Sequence, residues 1–451
     1  MTKKFRPYTP EQSYLFPPSP REWLREGHLA YFVVDLVASL DLSAILAHYE
    51  REQRGFPPHD PRLMLGLLVY GYCTGVRSSR QIERKTYEDV AFRVIGGGAQ
   101  PDHSCISEFR RLHLEELVRL FGQILGLCRE AGLVKLGHVA IDGTKVKANA
   151  SKHKAMSYDR IKKEEQRLRG VVRDIVREAE AADAAEDAEY GKGNRGDEIT
   201  DERLRDPKTR MARIRELRAK LEAEAKRQAE ARDDDEDPPP TGSGPLPSHQ
   251  VPTGKDGKPT PKAQRNFTDG DSRIMKSGDG YVQAYNCQLA VDEAHQIIVA
   301  QIVTNQPPDC EHLPHLLEEV ARNCDELPQT ASADSGYFSG ENVAYARSQG
   351  VDILIPTERW KHGEAPPPVR GRPPKDLTLK QEMTRRLRTE RARALYARRK
   401  VIVEPVFGQI KAARGIRAFL LRGLAKVRGE WSLIAMTHNL LKLWRASAAP
   451  A

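Results

Sequence analysis

Apolar residues recur at helical spacing through most of the first 135 residues. Asp60 and Pro61 are the N-cap and first position of a predicted helix, and a long apolar run follows them. Asp102 precedes a second helix, predicted from His103 to about Glu130, whose apolar positions repeat near the 3.6-residue period. We therefore predict a helical N-terminal domain over residues 1–135.

Short apolar runs of strand length replace this pattern from Gly137 onwards. Their order with the intervening helical segments is three antiparallel strands, a helix, a strand, a helix and a strand. This order predicts an α/β fold with an RNase H-like catalytic core, a mixed sheet flanked by helices. The predicted strands are 138–142, 285–291, 297–303, 330–334 and 351–355, and the first of the intervening helices is 313–324.

A long charged passage interrupts the core after its first strand. Heptad-like apolar positions between 161 and 221 predict a helical hairpin or a coiled coil. Residues 233–262, rich in Asp, Pro, Gly and Lys, are predicted to be a flexible connector that buries no core. The predicted domains are the helical N-terminal DNA-binding domain 1–135, the first strand of the catalytic domain 136–151, the helical and flexible insertion 152–264, and the remainder of the catalytic domain 265–445.

The charge of the chain indicates an anionic partner, either nucleic acid or a membrane surface. The net charge is +9, and residues 370–428 hold eighteen Lys or Arg against four Asp or Glu, which is the composition expected of a surface that binds phosphate backbone. No apolar run reaches the roughly 18 residues that span a bilayer, and no apolar signal-peptide core follows the N-terminus. We expect a cytoplasmic protein without a membrane partner. The six cysteines form no C-x-x-C pair, so neither a zinc site nor a disulfide framework is indicated.

Three carboxylates stand where a site is expected. Asp142 and Asp334 each end a predicted strand of one sheet, and Glu404 is the only acidic residue among eleven Lys and Arg between 391 and 428. Lys411 lies seven residues after Glu404, on the same helical face. Phosphodiester chemistry at neutral pH is served by two Mg²⁺ ions held by a few carboxylates. Taken singly, however, Asp142 and Asp334 are more often loop-cap or turn residues than ligands, and Glu404 has the alternative of a carboxylate at a helix N-terminus.

Other candidate residues have competing interpretations. Arg110 and Arg111, near the start of the helix at His103, are typical of a DNA-recognition helix, but a plain helical bundle with a solvated face has the same pattern. Further possible ligands are interpreted as turn or solvent-facing residues instead: His138, Asp269, Asp271 and Asp279.

Three segments carry a resemblance to a known family. AIDGTKVKANAS (140–151), ADSGYFSGEN (333–342) and the segment from Tyr396 to Leu443 resemble the catalytic segments of DDE-type insertion-sequence transposases. The similarity is greatest to the insertion-sequence family eleven-eighty-two, within the IS-four/IS-five superfamily, and extends over nearly the whole chain. It implies that Asp142, Asp334 and Glu404 bind two Mg²⁺ ions, for which Mn²⁺ is an expected substitute.

The resemblance also implies residues that bind DNA. Lys411 matches the lysine, and Tyr396 is similar to the tyrosine, of a Tyr/Arg/Glu/Lys signature around the glutamate. The signature arginine normally stands four residues before the glutamate, where this chain has Lys400, preceded by Arg398 and Arg399. All three remain candidates for the phosphate contact, although a lysine lacks the bidentate fork of a guanidinium.

The implied function is transposition. A homodimer on paired DNA ends would bind terminal inverted repeats, hydrolyse a strand and join the 3′ hydroxyl to target DNA, so the protein would be associated with the nucleoid when bound. Competing hypotheses are a related nuclease or integrase, and a catalytically inactive DNA-binding derivative such as a repressor of transposition. A membrane-surface protein is the least favoured, because the basic residues interleave with prolines and a predicted catalytic helix.

Overall fold

The protein divides into two compact units. The computed structural model describes residues 19–50, 58–190, 202–233, 245–278, 280–358, 367–372, 374 and 376–448. The first unit comprises Met1–Glu116 with Trp444–Ala451, and the second comprises Leu117–Leu443. The division therefore falls earlier in the chain than the predicted domain boundary at residue 135.

The described part of the first unit is helical. Asp60 caps α3 through its Oδ1, which accepts from Arg62 N at 2.7 Å, and Pro61 is in the first turn, which confirms the predicted helix start. α1 packs against α3 and α5. The helices are α1 (Leu29–Ser39), α2 (Ser43–Glu50), α3 (Pro61–Thr74), α4 (Ser79–Glu88), α5 (Val90–Ile95) and α6 (His103–Leu112).

The single helix predicted from His103 to Glu130 is wrong in its continuity. The chain forms α6 and then α7 (Leu114–Glu130), and His113 between them leaves the helical conformation with φ −105° and ψ 28°. The His113 ring is buried, packs 4.8 Å from the ring of Phe109 and places Nε2 3.1 Å from the Tyr49 hydroxyl. These contacts, which the periodicity of one segment does not reveal, account for the break.

No single helix among the described residues is long and apolar enough to cross a bilayer. α1 and α2, which meet at a 70° bend, pass together by length and composition alone.

The second unit is built on a mixed sheet that contains the five predicted strands in the predicted order and one more, β4 (Arg273–Ser277), which was not predicted. β1 pairs antiparallel with β5 and parallel with β7, β7 pairs parallel with β8, and β4 and β6 both pair antiparallel with β5. The hairpin predicted at 285–291 and 297–303 and the helix predicted at 313–324 are thereby confirmed. The strands are β1 (His138–Lys147), β2 (Ala155–Ser157), β3 (Gln264–Asn266), β4 (Arg273–Ser277), β5 (Gly280–Asp292), β6 (Ile298–Thr304), β7 (Thr330–Ser332) and β8 (Asp352–Leu354).

Helices cover this sheet. α10 packs on β5 and β6, α11 packs on β8, and α13 packs on β1 and β5, and most apolar residues of these strands are buried. The bounds are α8 (Tyr158–Tyr190), α9 (Glu202–Asp233), α10 (Leu313–Cys324), α11 (Gly340–Ser348), α12 (Leu379–Leu387), α13 (Glu390–Gly408) and α14 (Leu424–Ser447).

The insertion is a helical hairpin with a core of its own. α8 packs along α9, and Ile161, Leu168 and Leu217 belong to one buried apolar cluster between them. Glu165 is buried beside this cluster and accepts from Arg169 at 2.6 Å, from Arg215 at 3.2 Å and from Arg218 at 3.0 Å. The helical prediction for this passage is confirmed.

The prediction that the connector buries no core is wrong for its described part. Val251 and Ala263 are buried in the same cluster as the hairpin, and Val251 N donates to Gln228 Oε1 at 2.9 Å. Apolar residues of α8 and α9 surround Val251, and the composition of the connector alone does not reveal this contact. Residues 234–244 of the connector lie outside the described residues.

From the packing of the hairpin we predict that Leu217→Ala destabilises α8 and α9. Leu217 is fully buried, so truncation is expected to lower the free energy of opening of α8 and α9 by about 3 kcal/mol, measured by native-state hydrogen exchange. Leu379→Ala, at a position 37% exposed in α12, is the control and is expected to leave exchange in α8 and α9 unchanged. Equal exchange in both variants would show that the hairpin core contributes nothing to its stability.

Candidate active site

Sheet register brings Asp142, which lies inside β1, beside Asp334, which follows the end of β7. The prediction that Asp142 ends its strand is wrong, because β1 stays paired with β5 as far as Lys147. Ala140 of β1 is paired with Ser332 of the parallel strand β7, and each aspartate follows its paired residue by two positions. Asp334 then caps a short 3-10 turn, with Oδ1 accepting from Gly336 N at 2.9 Å. Parallel pairing thus places two carboxylates side by side although they are far apart in the chain.

Both aspartates carry raised pKa values. Burial raises the pKa of Asp142 to about 6 from 3.8, against the opposing effect of Arg399, and repulsion from Asp334 adds to the rise. Burial also raises the pKa of Asp334, with repulsion from Asp309 as a further cause. The site therefore holds negative charge in a poorly hydrated place, which favours a cation beside it.

Arg399 supplies positive charge there. Its Nη1 lies 3.0 Å from Asp142 Oδ2, and its Nη2 lies 4.0 Å from Glu404 Oε1 on the same helix, α13. The guanidinium also lies 5.9 Å from the centre of the Tyr396 ring. Arg399 therefore stands between two of the three predicted metal ligands, while the Glu404 side chain remains 53% exposed.

Lys411 reaches the same strand as Asp142. It lies in a π-helical turn, Gln409–Ala413, that directly follows α13. Its Nζ donates to Thr144 Oγ1 and, at 3.3 Å, to the Lys145 carbonyl. The π turn shifts the helical register after Glu404 and aims the lysine at β1, two residues beyond Asp142.

The three candidates for the signature basic position have different surroundings. Arg398 forms an ion pair with Glu293, and Lys400 is exposed. Only Arg399 of these three contacts both Asp142 and the Tyr396 ring. The structure thus places Arg399, three residues after the tyrosine, closest to the candidate site.

Two family models match the chain. Residues 248–440 match the one described as Transposase DDE domain, and residues 18–112 match the one described as Transposase domain (DUF772). These matches indicate a DDE-type transposase. No curated protein and no solved structure matches the chain.

The DDE match begins after β1, so Asp142 lies outside it. The sheet register returns Asp142 to the matched domain, next to Asp334. A transposase DDE domain implies an RNase H-like fold and an enzyme that acts on DNA, and the mixed sheet described above agrees with that fold.

A polar network lies beside the site and was not predicted from the sequence. Asp309 Oδ1 accepts from Lys145 Nζ at 3.0 Å, from Asn286 Nδ2 at 2.7 Å and from Gln288 Nε2 at 2.7 Å. The Tyr337 hydroxyl donates to Gln288 Oε1. The sequence contains one indication of this network. Asn286 and Gln288 stand two positions apart among the apolar residues of 285–291, so both amides lie on the same face of the strand.

The prediction that Arg110 contacts DNA is wrong in this structure. Arg110 is buried, and its guanidinium donates to the Arg77 carbonyl at 3.1 Å and to Ser79 Oγ at 3.3 Å, joining α6 to the start of α4. Helical periodicity places it beside Arg111 but does not reveal which of the two faces a neighbouring helix. Arg111 is exposed and bonds to Glu108 at 2.8 Å.

The other possible ligands named from the sequence have structural roles. Asp269 accepts from the Tyr285 hydroxyl at 2.8 Å and from Gly423 N at 3.2 Å, and Asp271 accepts from Leu424 N at 3.0 Å. Both therefore bind the start of α14. His138 is buried, with Nε2 2.9 Å from Ser332 Oγ. The prediction of a solvent or turn role is wrong for His138, which is buried in β1. The turn role is confirmed for Asp269, which is buried and whose Oδ1 accepts from Asp271 N at 3.3 Å. Asp279 lies outside the described residues.

The donor set fits a divalent cation in kind. Carboxylate oxygens are the ligands Mg²⁺ prefers, and Arg399 is a cation already held between Asp142 and Glu404. Across the described residues, no group of three His, Cys, Asp or Glu side chains is arranged to hold an ion. A complete carboxylate set therefore requires the Glu404 side chain to turn inward and Arg399 to move aside.

Asp142→Asn should change the pH dependence of stability. Because the pKa of Asp142 is raised, the folded state holds the proton more tightly than the unfolded chain, and the wild type loses stability as pH rises from 3.8 to about 6. We expect the free energy of unfolding of the variant, relative to wild type, to rise by about 1–3 kcal/mol across this window, by urea denaturation. Asp325→Asn, at an exposed side chain, is the control; identical pH profiles for both variants would contradict the assignment.

A double-mutant cycle tests the polar network. A Cβ at Gly143 would lie 2.4 Å from Gln288 Nε2, so Gly143→Ala should displace the amide from Asp309 and cost about 1–3 kcal/mol of stability. The cost should fall by about 1 kcal/mol or more when Gln288→Ala is also present, because the clash is then removed. An equal cost in both backgrounds would refute this explanation of the glycine.

Proposed function

We propose that this chain is a DNA transposase that hydrolyses and joins phosphodiester bonds at the terminal inverted repeats of an insertion sequence, using divalent cations, with two Mg²⁺ ions expected. The carrying observation is the parallel register that sets Asp142 beside Asp334, in a chain that matches two transposase models. Magnesium bound there would activate an oxygen nucleophile and stabilise the departing 3′ oxygen.

The residues around the carboxylates have distinct proposed tasks. Asp142, Asp334 and Glu404 hold the cations. Arg399, released from its ion pair with Asp142, binds a DNA phosphate, with Tyr396 supporting its side chain. Lys411, bonded to Thr144 and the Lys145 carbonyl, adds positive charge near the scissile bond.

Further contacts would extend to more of the DNA. Lys400 is exposed on α13 and available to phosphate, and Arg398 is available if its pair with Glu293 opens. In the first unit, Arg111 remains the proposed basic contact now that Arg110 is assigned a structural role. Two subunits on paired ends, acting on terminal repeats and then on target DNA, complete the proposal.

The test is magnesium-dependent cleavage of duplex DNA that carries the ends of the encoding element. Asp142→Asn, Asp334→Asn and Glu404→Gln are each expected to lower cleavage by about 100-fold or more, since even outer-shell partners of metal sites cost 10–100-fold. DNA affinity should stay within a few-fold of wild type. Glu390→Gln, at an exposed glutamate of the same helix α13, is the matched control and should cleave normally.

Two outcomes would overturn parts of this proposal. Normal cutting by any one of the three variants would remove that residue from the cation site. Tight DNA binding without cutting by the wild type, with Mg²⁺ and with Mn²⁺, would point to a catalytically inactive DNA-binding derivative or repressor.

A further inference from the structure

Two separate segments of the chain are basic and contain no acidic residue. Residues 143–155 hold four Lys and no Asp or Glu, and residues 411–426 hold five Lys or Arg and no Asp or Glu. In a chain that is 30% charged with nearly balanced signs, two such segments are unusual. Their separation in sequence conceals any relation between them.

The structure pairs these segments side by side. Lys147 N donates to the Arg417 carbonyl at 3.3 Å, and Phe419 N donates to the Lys147 carbonyl at 2.8 Å. Farther along, Asn149 Nδ2 donates to the Leu420 carbonyl at 2.6 Å. We call residues 143–155 together with residues 411–426 the basic ribbon.

Most cations of the basic ribbon face solvent. Arg414 is the buried exception and binds α14 through the Ile434 carbonyl and Thr437. Lys145 and Lys411 are half-buried at the end near Asp142. The exposed cations are Lys147, Lys152, Lys154, Arg417, Arg422 and Lys426.

The acidic residues next to the ribbon are committed to internal partners. Glu430 is buried and accepts from Leu420 N and Leu421 N, at 2.9 Å each. Asp269 and Asp271 bind the backbone at the start of α14, as described above. These three carboxylates are therefore bonded to backbone N–H groups, and residues 143–155 and 411–426 contribute no acidic side chain of their own to this surface.

We propose that the basic ribbon binds the sugar-phosphate backbone of duplex DNA that leads away from Asp142. The inference rests on the proposed function and deepens it by naming the surface along which the DNA lies. Five residues of strand at about 3.3 Å each place Lys147 about 17 Å from Asp142. That length corresponds to about five phosphates of one DNA strand, so Lys147, the first exposed lysine of β1 after Asp142, would face a phosphate about five nucleotides from the reacting one.

The test measures DNA binding apart from cleavage. The probe is a random-sequence duplex of about 30 base pairs, in EDTA, with affinity followed by fluorescence anisotropy over a range of salt. Lys147→Ala/Lys152→Ala/Arg417→Ala is expected to weaken binding by about 10- to 100-fold at about 0.1 M salt. The slope of log affinity against log salt should decrease by about 3, one unit for each lost phosphate contact.

Two comparison variants make the result specific. Arg173→Ala/Arg177→Ala/Arg227→Ala removes the same charge from exposed positions of α8 and α9 and is expected to keep the wild-type slope. Lys147→Arg/Lys152→Arg/Arg417→Lys keeps the charge and should keep the affinity, which excludes misfolding as the cause of a loss.

Each remaining outcome overturns the inference. A ribbon variant with wild-type affinity and slope, or equal losses in the ribbon and α8/α9 variants, would show that the ribbon is not the contact surface, while leaving the proposed transposase function intact. Wild-type protein that binds neither this duplex nor one with the element's ends would contradict both the ribbon and the proposed function.

Discussion

Strand β1 is hydrogen-bonded along both edges, antiparallel to β5 and parallel to β7, and the second unit depends on this double pairing. The parallel edge aligns Asp142 with Asp334, since only a fixed register brings two distant segments together. The antiparallel edge sets Gly143 against Gln288, where the missing Cβ leaves room for the amide that holds Asp309. Beyond Asp142 the same strand continues into the basic ribbon.

Charge is arranged in layers around this strand. Asp142, Asp334 and Asp309 are partly buried. Asp142 pairs with Arg399, Asp309 pairs with Lys145 and accepts from Asn286, and Asp334 accepts from Gly336 N. Arg399 has two roles. It pairs with Asp142 in the structure, and it would bind a DNA phosphate in the proposed function. If Arg399 moved to a DNA phosphate and a divalent cation bound Asp142 and Glu404, each of these carboxylates would still have a positively charged partner.

The insertion separates β1 from the other strands of the sheet by more than a hundred residues of sequence. It is nevertheless bonded to the rest of the second unit. Arg265 of β3 is fully buried, pairs with Glu224 of α9 and donates to the Gly270 carbonyl at 2.6 Å. The next residues in that loop, Asp269 and Asp271, bind the start of α14. One short loop therefore joins the insertion, the sheet and the last helix, which keeps the hairpin a fixed part of the second unit.

Local patterns determined much of this architecture. The alternation of strands and helices, the helix start at Asp60 and Pro61 and the helical insertion follow from periodicity and capping, which act over a few residues and are visible in sequence. Other features were decided only by tertiary contacts: the break at His113, the burial of Arg110 and Val251, and the position of Arg399 rather than Lys400 beside Asp142. Each depends on which side chain a distant segment presents, and that is set by packing and sheet register, which no single segment encodes.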